Sequence, residues 1–403
     1  MNIILYCNSF FPAIGGREMV IHFLAKNLHE LGHNVRVTGA GGWWRYRKLS
    51  FGYPVHRWPT LRGLMKETIQ RAQLRLECSI WKTDIIHAHN TYPGGYTAAK
   101  VCEKNHIPLL ITPHGMDIHV IPEIGFGHRL DPNKRKMSDY ALKRASLTTA
   151  ISANIKNSLN DAGISDQKIR LIPNGIDLER FQKNIAVDIR QHYRLQSDRQ
   201  IILTVGNYHK RKGLELLIEA MPGIMAANKN VSLIIVGRSD DILKKKVRDL
   251  NLNNNVILTG PIQFPALSWS TGKKSLPQQT DKIDLLAAIY LQSDVYVSAA
   301  MDDGAEGLSL ALLDATAAQL PIVATDISGN RDIVVDRKNG YIVPIRNTTK
   351  IATAVIDILN KPDKKQAMGK VSYQIASGYS WLNIAKQYVN IYFEVMEKQR
   401  LGI

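Results

Sequence analysis

The sequence predicts an α/β protein made of two doubly wound parallel sheets, each covered by helices on both faces. Three observations predict it. Short apolar strands alternate with amphipathic helical stretches from the first residues onward. The alternation pauses at a Pro173-Asn174-Gly175 turn, passes through polar sequence over 182–199, and restarts at Ile201. At 403 residues the chain is also too long for one ordinary domain and long enough for two separate cores.

The elements follow in order. Ile3 to Cys7 reads as a buried strand, followed by a loop with Pro12 and Gly15-Gly16. The next helix carries Met19, Phe23, Leu24, Leu28 and Leu31 on one face and ends at Gly32. Further strands are read at 35–38, 84–88, 109–112 and 147–151, with helices at 96–104 and 132–144 between them. In the second half, strands are read at 201–205, 232–236, 256–259, 295–298 and 321–324, with helices at 214–221 and 307–318. Repeated strand-helix-strand order implies parallel pairing. Residues 263–282 interrupt the rhythm as a polar surface insertion. A last helix, about 382–398, has Ile384, Ala385, Tyr388, Ile391, Tyr392 and Val395 on one side.

Composition narrows the function. Hydrophobic content of 45% and charged content of 22% describe a globular chain. No run of about 20 apolar residues is present to span a bilayer. The first residues read as a strand rather than a secretory signal, so a cytoplasmic location is expected. Cys7, Cys78 and Cys102 show neither metal-ligand nor redox spacing. The net charge of +17 predicts an anionic partner. Nine Lys or Arg and only Glu67 and Glu77 fall within 41–83, mixed with seven large aromatics. Such a mixture suits the cytoplasmic face of an anionic membrane, with the chain docked peripherally. A solvated basic helix face over core aromatics is the competing reading.

In open parallel sheets ligands bind beyond the carboxyl ends of the strands, and four loops there are informative. Gly15 and Gly16 permit close backbone approach before a helix N-terminus. His114, in Thr112-Pro113-His114-Gly115-Met116-Asp117, can bond a sugar hydroxyl or meet developing charge, or can merely cap a loop. The run Gly206-Asn207-Tyr208-His209-Lys210-Arg211-Lys212-Gly213 puts three cations where a helix begins. Cations there oppose the helix dipole unless an anion sits between them and the amides. Finally, Glu306, Gly307, Leu308 and Ser309 precede a helix that carries Asp314 about two turns along. The amides would hold a diphosphate, and a carboxylate at 314 can accept hydrogen bonds from paired sugar hydroxyls.

Taken together and in this order, these motifs resemble the retaining glycosyltransferase family 4, whose GT-B architecture has two facing Rossmann-like domains and an inter-domain cleft. The resemblance implies an acceptor-binding domain over 1–173, a nucleotide-sugar-binding domain over 174–380, and a C-terminal helix over 381–403 that crosses back to the first. It implies a hexosyltransferase acting in polysaccharide or glycolipid synthesis, with a nucleotide sugar as donor and a glycan or lipid-linked acceptor. By position, Lys212 binds the donor diphosphate with the amides at Gly307, Leu308 and Ser309. Glu306 and His114 address the transferred sugar, Asp314 holds the ribose, and Gly15-Gly16 lies against the ligand. Asn207 stands where the family commonly has Arg, so Arg211 or Lys210 would supply the lost charge. Asp314 stands where Glu is usual and reaches one methylene less.

The chain has no Asp-x-Asp, so neither a metal nor another cofactor is expected. A sugar-nucleotide epimerase of the same architecture is the rival enzyme. A dinucleotide oxidoreductase is disfavoured by the missing G-x-G-x-x-G. Nucleic acid is not an expected partner, because only the net charge supports it.

Overall fold

β-Branched and leucine-rich segments build two all-parallel sheets in the computed structural model, which describes residues 1–11, 15–40, 51–58, 66–182, 187–262, 284–301 and 308–401. Met1–Gly175 together with Trp381–Ile403 forms one compact unit, and Ile176–Ser380 forms the other.

In the first unit the strands are β1 (Asn2–Cys7), β2 (Asn34–Ala40), β3 (Val55–Trp58), β4 (Ile85–Ala88), β5 (Leu109–Ile111), β6 (Leu147–Ala150) and β7 (Ile169–Leu171). They lie in the order β3-β2-β1-β4-β5-β6-β7. The order reverses direction between β1 and β4, so the crevice for a ligand opens beyond Cys7 and Ala88. The helices are α1 (Gly16–Glu30), α2 (Lys66–Trp81), α3 (Tyr96–Asn105), α4 (Pro132–Arg144) and α5 (Ala153–Asp161). Asp131 accepts from the Asn133 and Lys134 amides to start α4, and Ser152 accepts from Ile155 to start α5.

The second unit contains α6 (Ile189–His192), β8 (Gln200–Val205), α7 (Leu214–Ala227), β9 (Val231–Val236), α8 (Asp241–Asp249), β10 (Val256–Gly260), α9 (Leu285–Leu291), β11 (Val295–Ser298), α10 (Leu310–Ala317), β12 (Ile322–Thr325), α11 (Ser328–Arg331), β13 (Gly340–Val343), α12 (Thr348–Leu359) and α13 (Pro362–Gly378). Its sheet runs β10-β9-β8-β11-β12-β13 and switches between β8 and β11. Apolar clusters cover each face. Ile202, Leu217, Ile218, Leu233 and Val355 lie on one side, and Ile201, Leu203, Ile234, Leu312 and Leu313 on the other. Successive strand residues therefore point to opposite, equally buried faces, which is why these strands read as unbroken apolar runs.

α14 (Trp381–Leu401) returns the chain to the first unit. Its buried residues recur at helical spacing from Trp381 through Tyr388 and Tyr392 to Val395. Trp381 stacks on Phe23 of α1 with ring centres 5.8 Å apart and 13° between planes.

Several elements depart from the sequence expectations. β3, β7 and β13 are only three or four residues long, too short for a clear pattern, and charged or polar residues interrupt the first two. α7 continues past Pro222, beyond the expected end at Met221. α10 is described from Leu310 with Ser309 as its N-cap, later than the expected start near Gly307. Gly307 and the 263–282 insertion lie outside the described residues. All three cysteines are buried and free.

Candidate active site

In the first unit, the residues at the switch point are histidines. His87 is the third residue of β4 and His89 follows the strand by one, so both occupy the same face. Their rings lie 4.2 Å apart, and His89 stacks on His114 with centroids at 5.5 Å. His89 Nδ1 is 3.2 Å from His114 Nε2. Behind them, His87 Nδ1 meets the Tyr392 hydroxyl at 2.8 Å and His87 Nε2 meets Thr112 Oγ1 at 2.6 Å. The helix that closes the chain thus braces the back of the cluster. Burial pushes all three imidazoles toward their neutral forms, His89 down to about 3 and His87 and His114 well below the usual range. Arg17 adds its charge against protonation of His89 and His114.

The loop bearing His114 is fastened by Asp117. One carboxylate oxygen accepts from the His114 amide at 2.8 Å, and the other accepts from the Thr91 amide at 2.7 Å. Asp117 is 5% exposed, and burial raises its pKa, partly offset by those backbone amides. Sequence alone gives Asp117 no role and does not single out His87 or His89. Two histidines alternating at a strand end are the signal that could have found the pair.

Gly15 is the N-cap of α1 and Gly16 its first residue. An anion was expected at this helix end. The position already holds a carboxylate: buried Glu18 lies in the first turn, and its Oε2 is 2.7 Å from where a Gly15 side chain would begin. Glu18 pairs with Arg17 at 2.8 Å. The glycine leaves room for this internal acid.

In the second unit a pocket opens at the switch point, beyond the ends of β8 and β11. Thr204, Gly206, Lys212, Ser298, Ser309 and Asn330 contribute its polar lining. Lys212 is delivered by a short turn of 3₁₀ helix, Lys210–Lys212, and by Gly213. Gly213 adopts φ +62°, and a Cβ there would sit 1.9 Å from the Ala299 carbonyl oxygen at the end of β11. Only glycine lets the lysine turn pack this closely. Asn330 donates to the Thr325 carbonyl at 2.9 Å and accepts from the Ser298 hydroxyl at 3.2 Å.

The sequence-predicted residues divide accordingly. Lys212 and Ser309 come together in the pocket. Asn207 and Arg211 are not part of its lining. The Asn207 side chain accepts from the Arg238 amide at 3.0 Å and fastens two loops together. The Leu308 side chain is buried in the apolar core. Glu306 and Gly307 lie outside the described residues.

Asp314, on α10, faces a cation that no motif announces. Arg180 Nη1 lies 3.5 Å from Asp314 Oδ2, while its Nε and Nη2 bind Asp284 at 2.6 and 3.0 Å. Burial lifts Asp314 to about 6 against the pull of Arg180.

Similarity to known proteins fits this geometry. Residues 14–180 match the profile of Glycosyltransferase Family 4, and residues 199–361 match that of Glycosyl transferases group 1. The chain is 22% identical to N-acetyl-alpha-D-glucosaminyl L-malate synthase of Bacillus anthracis over 97% of each chain. It is 26% identical to a GDP-mannose-dependent alpha-(1-6)-phosphatidylinositol monomannoside mannosyltransferase of Mycobacterium tuberculosis, over 59% of this chain and 57% of that one. The crystal structure of Anabaena HepE in complex with UDP aligns with a TM-score of 0.78 and 18% identity, covering 98% of this chain and 100% of that one. WaaG, a glycosyltransferase involved in lipopolysaccharide biosynthesis, aligns at 0.69 and 16%, covering 96% and 99%. The architecture is GT-B, with two parallel-sheet Rossmann-like domains. The chain belongs to the family 4, group 1 glycosyltransferases, and it is a sugar-transferring enzyme.

Proposed function

We propose that this enzyme is a retaining hexosyltransferase that takes a nucleotide-sugar donor and glycosylates a glycan or lipid-linked acceptor at an anionic membrane surface. The observation that carries the donor reading is the pocket at the β8/β11 switch point, lined by both Lys212 and Ser309, the N-cap of α10. A lysine ammonium with helix-end amides suits a diphosphate, and the same groups would stabilise the nucleoside diphosphate as it leaves. Asp314 holds the ribose. His114, kept neutral by burial, hydrogen-bonds the transferred sugar and adds no positive charge beside a cationic transition state. Glu306 contacts the same sugar. Retention of configuration follows the family's habit of same-face attack through an oxocarbenium-like state.

Two relatives support a nucleotide-sugar donor: HepE binds UDP and UDP-glucose in its crystals, and the mycobacterial mannosyltransferase depends on GDP-mannose. Membrane docking is supported by α2. Leu76 and Ile80, one turn apart, are 51% and 73% exposed, and Arg75 is exposed beside them in sequence. Phe51, Tyr53 and Trp81 of the basic stretch do not share this role. Tyr53 is 6% exposed, Phe51 packs on Phe10 and Phe11, and Trp81 lies under Arg36. No described helix is long and apolar enough to cross a membrane.

The deciding experiment incubates the enzyme with UDP-, GDP-, ADP- and CMP-sugars and envelope lipid extract, and measures released nucleotide and the anomeric configuration of the product. Nucleotide release that requires acceptor, with the donor's anomeric configuration kept, is the expected result. Release without glycosylated product, or an inverted product, overturns the reading. Liposome pelleting of Leu76→Asp/Ile80→Asp and Arg71→Gln/Arg75→Gln variants tests the surface. Pelleting equal to the parent protein on phosphatidylglycerol vesicles removes that part of the proposal.

A further inference from the structure

The ion cluster around Asp314 goes one step beyond this reading. Arg180 sits in the short 3₁₀ turn Leu178–Phe181, only a few residues after the second unit begins, and is 9% exposed. Its guanidinium is gripped through two nitrogens by the two Asp284 oxygens, a bidentate match that fixes the plane of the group. Asp284 is itself held, because Oδ1 accepts from the Ala287 amide at 2.9 Å as the N-cap of α9. The remaining corner, Nη1, points to Asp314 Oδ2. That contact is longer than the other two. Asp314 therefore has an oriented counter-charge nearby and keeps capacity to accept from a ligand, with its side chain 18% exposed.

We propose that Arg180 is the positioning residue for Asp314: held in one plane by Asp284, its guanidinium orients the Asp314 carboxylate and provides the counter-charge that lets this acid accept hydrogen bonds from the ribose hydroxyls of a nucleoside diphosphate. The inference rests on the reading of Asp314 as the nucleoside-binding acid. The arrangement also suits an aspartate at this position. An aspartate reaches one methylene less far than a glutamate and has fewer rotamers, so an oriented cation beside it fixes its direction.

The groups facing Asp314 set its pH behaviour. Burial raises its pKa, Arg180 lowers it, and Asp284 and Asp177 raise it. Tyr290, whose hydroxyl donates to the Ala311 carbonyl at 3.0 Å, also faces the acid and stays protonated. Removing Arg180 therefore moves the titration of Asp314 upward. Removing the charge of Asp284 moves it downward, since an opposing acid is lost and the guanidinium can turn to Asp314. A purely structural role for the cluster would weaken both variants alike.

Isothermal titration of the full chain with uridine, guanosine and adenosine diphosphates identifies the one bound most tightly. That nucleotide and its 2′-deoxy counterpart are then titrated from pH 5.5 to 8.5. In the parent protein, affinity for the ribonucleotide is expected to fall as pH drops through about 6, where Asp314 takes up its proton. Arg180→Gln is expected to move that midpoint up by about one pH unit, weakening binding about twofold near pH 7 and about eightfold at pH 5.5. The deficit shrinks at pH 8.5. Arg180→Lys keeps the charge and retains a midpoint near the parent's. Asp284→Asn retains the α9 cap and moves the midpoint down.

An unmoved midpoint in Arg180→Gln overturns the inference, as does a matched, pH-independent loss in Arg180→Gln and Asp284→Asn. If Arg180→Gln does not fold, the Arg180→Lys and Asp284→Asn midpoints carry the same comparison. Asp314→Asn separates the role of the acid from the role of the arginine. Unchanged preference for ribose over 2′-deoxyribose in that variant overturns the nucleoside reading itself, whereas lost preference beside an unmoved Arg180→Gln midpoint overturns only the role of Arg180.

Discussion

His89 Nδ1 and His114 Nε2 lie 3.2 Å apart, with their rings stacked and tilted by 24°. The contact joins the end of β4 to the loop after β5, and one proton serves the two facing nitrogens. His89 Nε2 is buried and has no hydrogen-bond partner among the described residues. An orphaned N–H costs more than an orphaned lone pair. The pair is therefore best satisfied when His89 donates from Nδ1 and His114 accepts at Nε2, leaving the His114 proton on Nδ1.

His114 is thus expected to stay neutral through the working pH range. Burial, His89 and Arg17 all oppose its protonation. Nitrogen-15 spectra of labelled protein should show Nδ1–H, Nε2-acceptor signals for His114, unchanged from pH 5.5 to 8. A titration midpoint for His114 inside that window contradicts the assignment. Replacing His89 with Ala is expected to free the tautomer while Asp117 still holds the loop, giving mixed Nδ1–H and Nε2–H signals.

The buried histidines also fix how acid acts on the first unit. His22 is held at about 4 and His89 at about 3, with His87 and His114 well below the ordinary value. Below about pH 6.5 the unfolded chain binds protons at these sites and the folded chain does not. Their stabilising contribution is complete above that pH and is lost as pH falls toward the folded-state values. Asp117 works in the opposite sense, because its raised pKa makes the folded form bind its proton first. The histidines outnumber it. Urea unfolding of the first unit's transition should lose stability from pH 6.5 to 4.5, by up to about 1.4 kcal/mol per pH unit for each histidine. Stability that is flat or rising across that range would show that these rings titrate normally.

Much of this architecture was legible in the sequence because parallel strands buried on both faces leave unbroken apolar runs, such as Ile201-Ile202-Leu203 and Leu233-Ile234-Ile235. Edge strands were harder. Val55–Trp58 is only partly buried along its length, so His56 and Arg57 interrupt its pattern without penalty. In the site, Lys212 and Ser309 were readable because each follows a strand near a helix start. Arg180, Asp284 and Asp314 were not readable as a group. Their contact spans more than 100 residues of chain, and spacing carries no trace of it.

Asp117 gives a local test of how the first site is held. Its two oxygens satisfy two backbone amides that have become buried, those of Thr91 and His114. In Asp117→Asn one of those acceptors becomes a donor facing another donor, and the variant leaves an amide unpaired at a cost of about 1–3 kcal/mol. The expected result is a lowered Tm with a larger fall in kcat than in donor affinity, since the His114 loop moves while the second unit's pocket is untouched. Loss of donor affinity with normal kcat would contradict that division of labour.

Gly213 gives the corresponding test in the second unit. Two costs fall on Gly213→Ala: a left-handed backbone at φ +62° and a methyl placed 1.9 Å from the Ala299 carbonyl oxygen. The first alone costs about 1 kcal/mol, and the second forces the lysine turn away from β11. Gly260 is the control, since it has φ +72° and, among the described residues, no neighbouring atom within 4 Å of where a methyl group would stand, so it incurs only the first cost. Gly213→Ala is therefore expected to destabilise the second unit by about 2 kcal/mol more than Gly260→Ala and to weaken nucleoside diphosphate binding by at least about tenfold through displacement of Lys212. Chemical denaturation and isothermal titration of the two variants measure both quantities. Equal losses of stability, or full nucleotide affinity in Gly213→Ala, would show that the close approach of the lysine turn to β11 is not what builds the pocket.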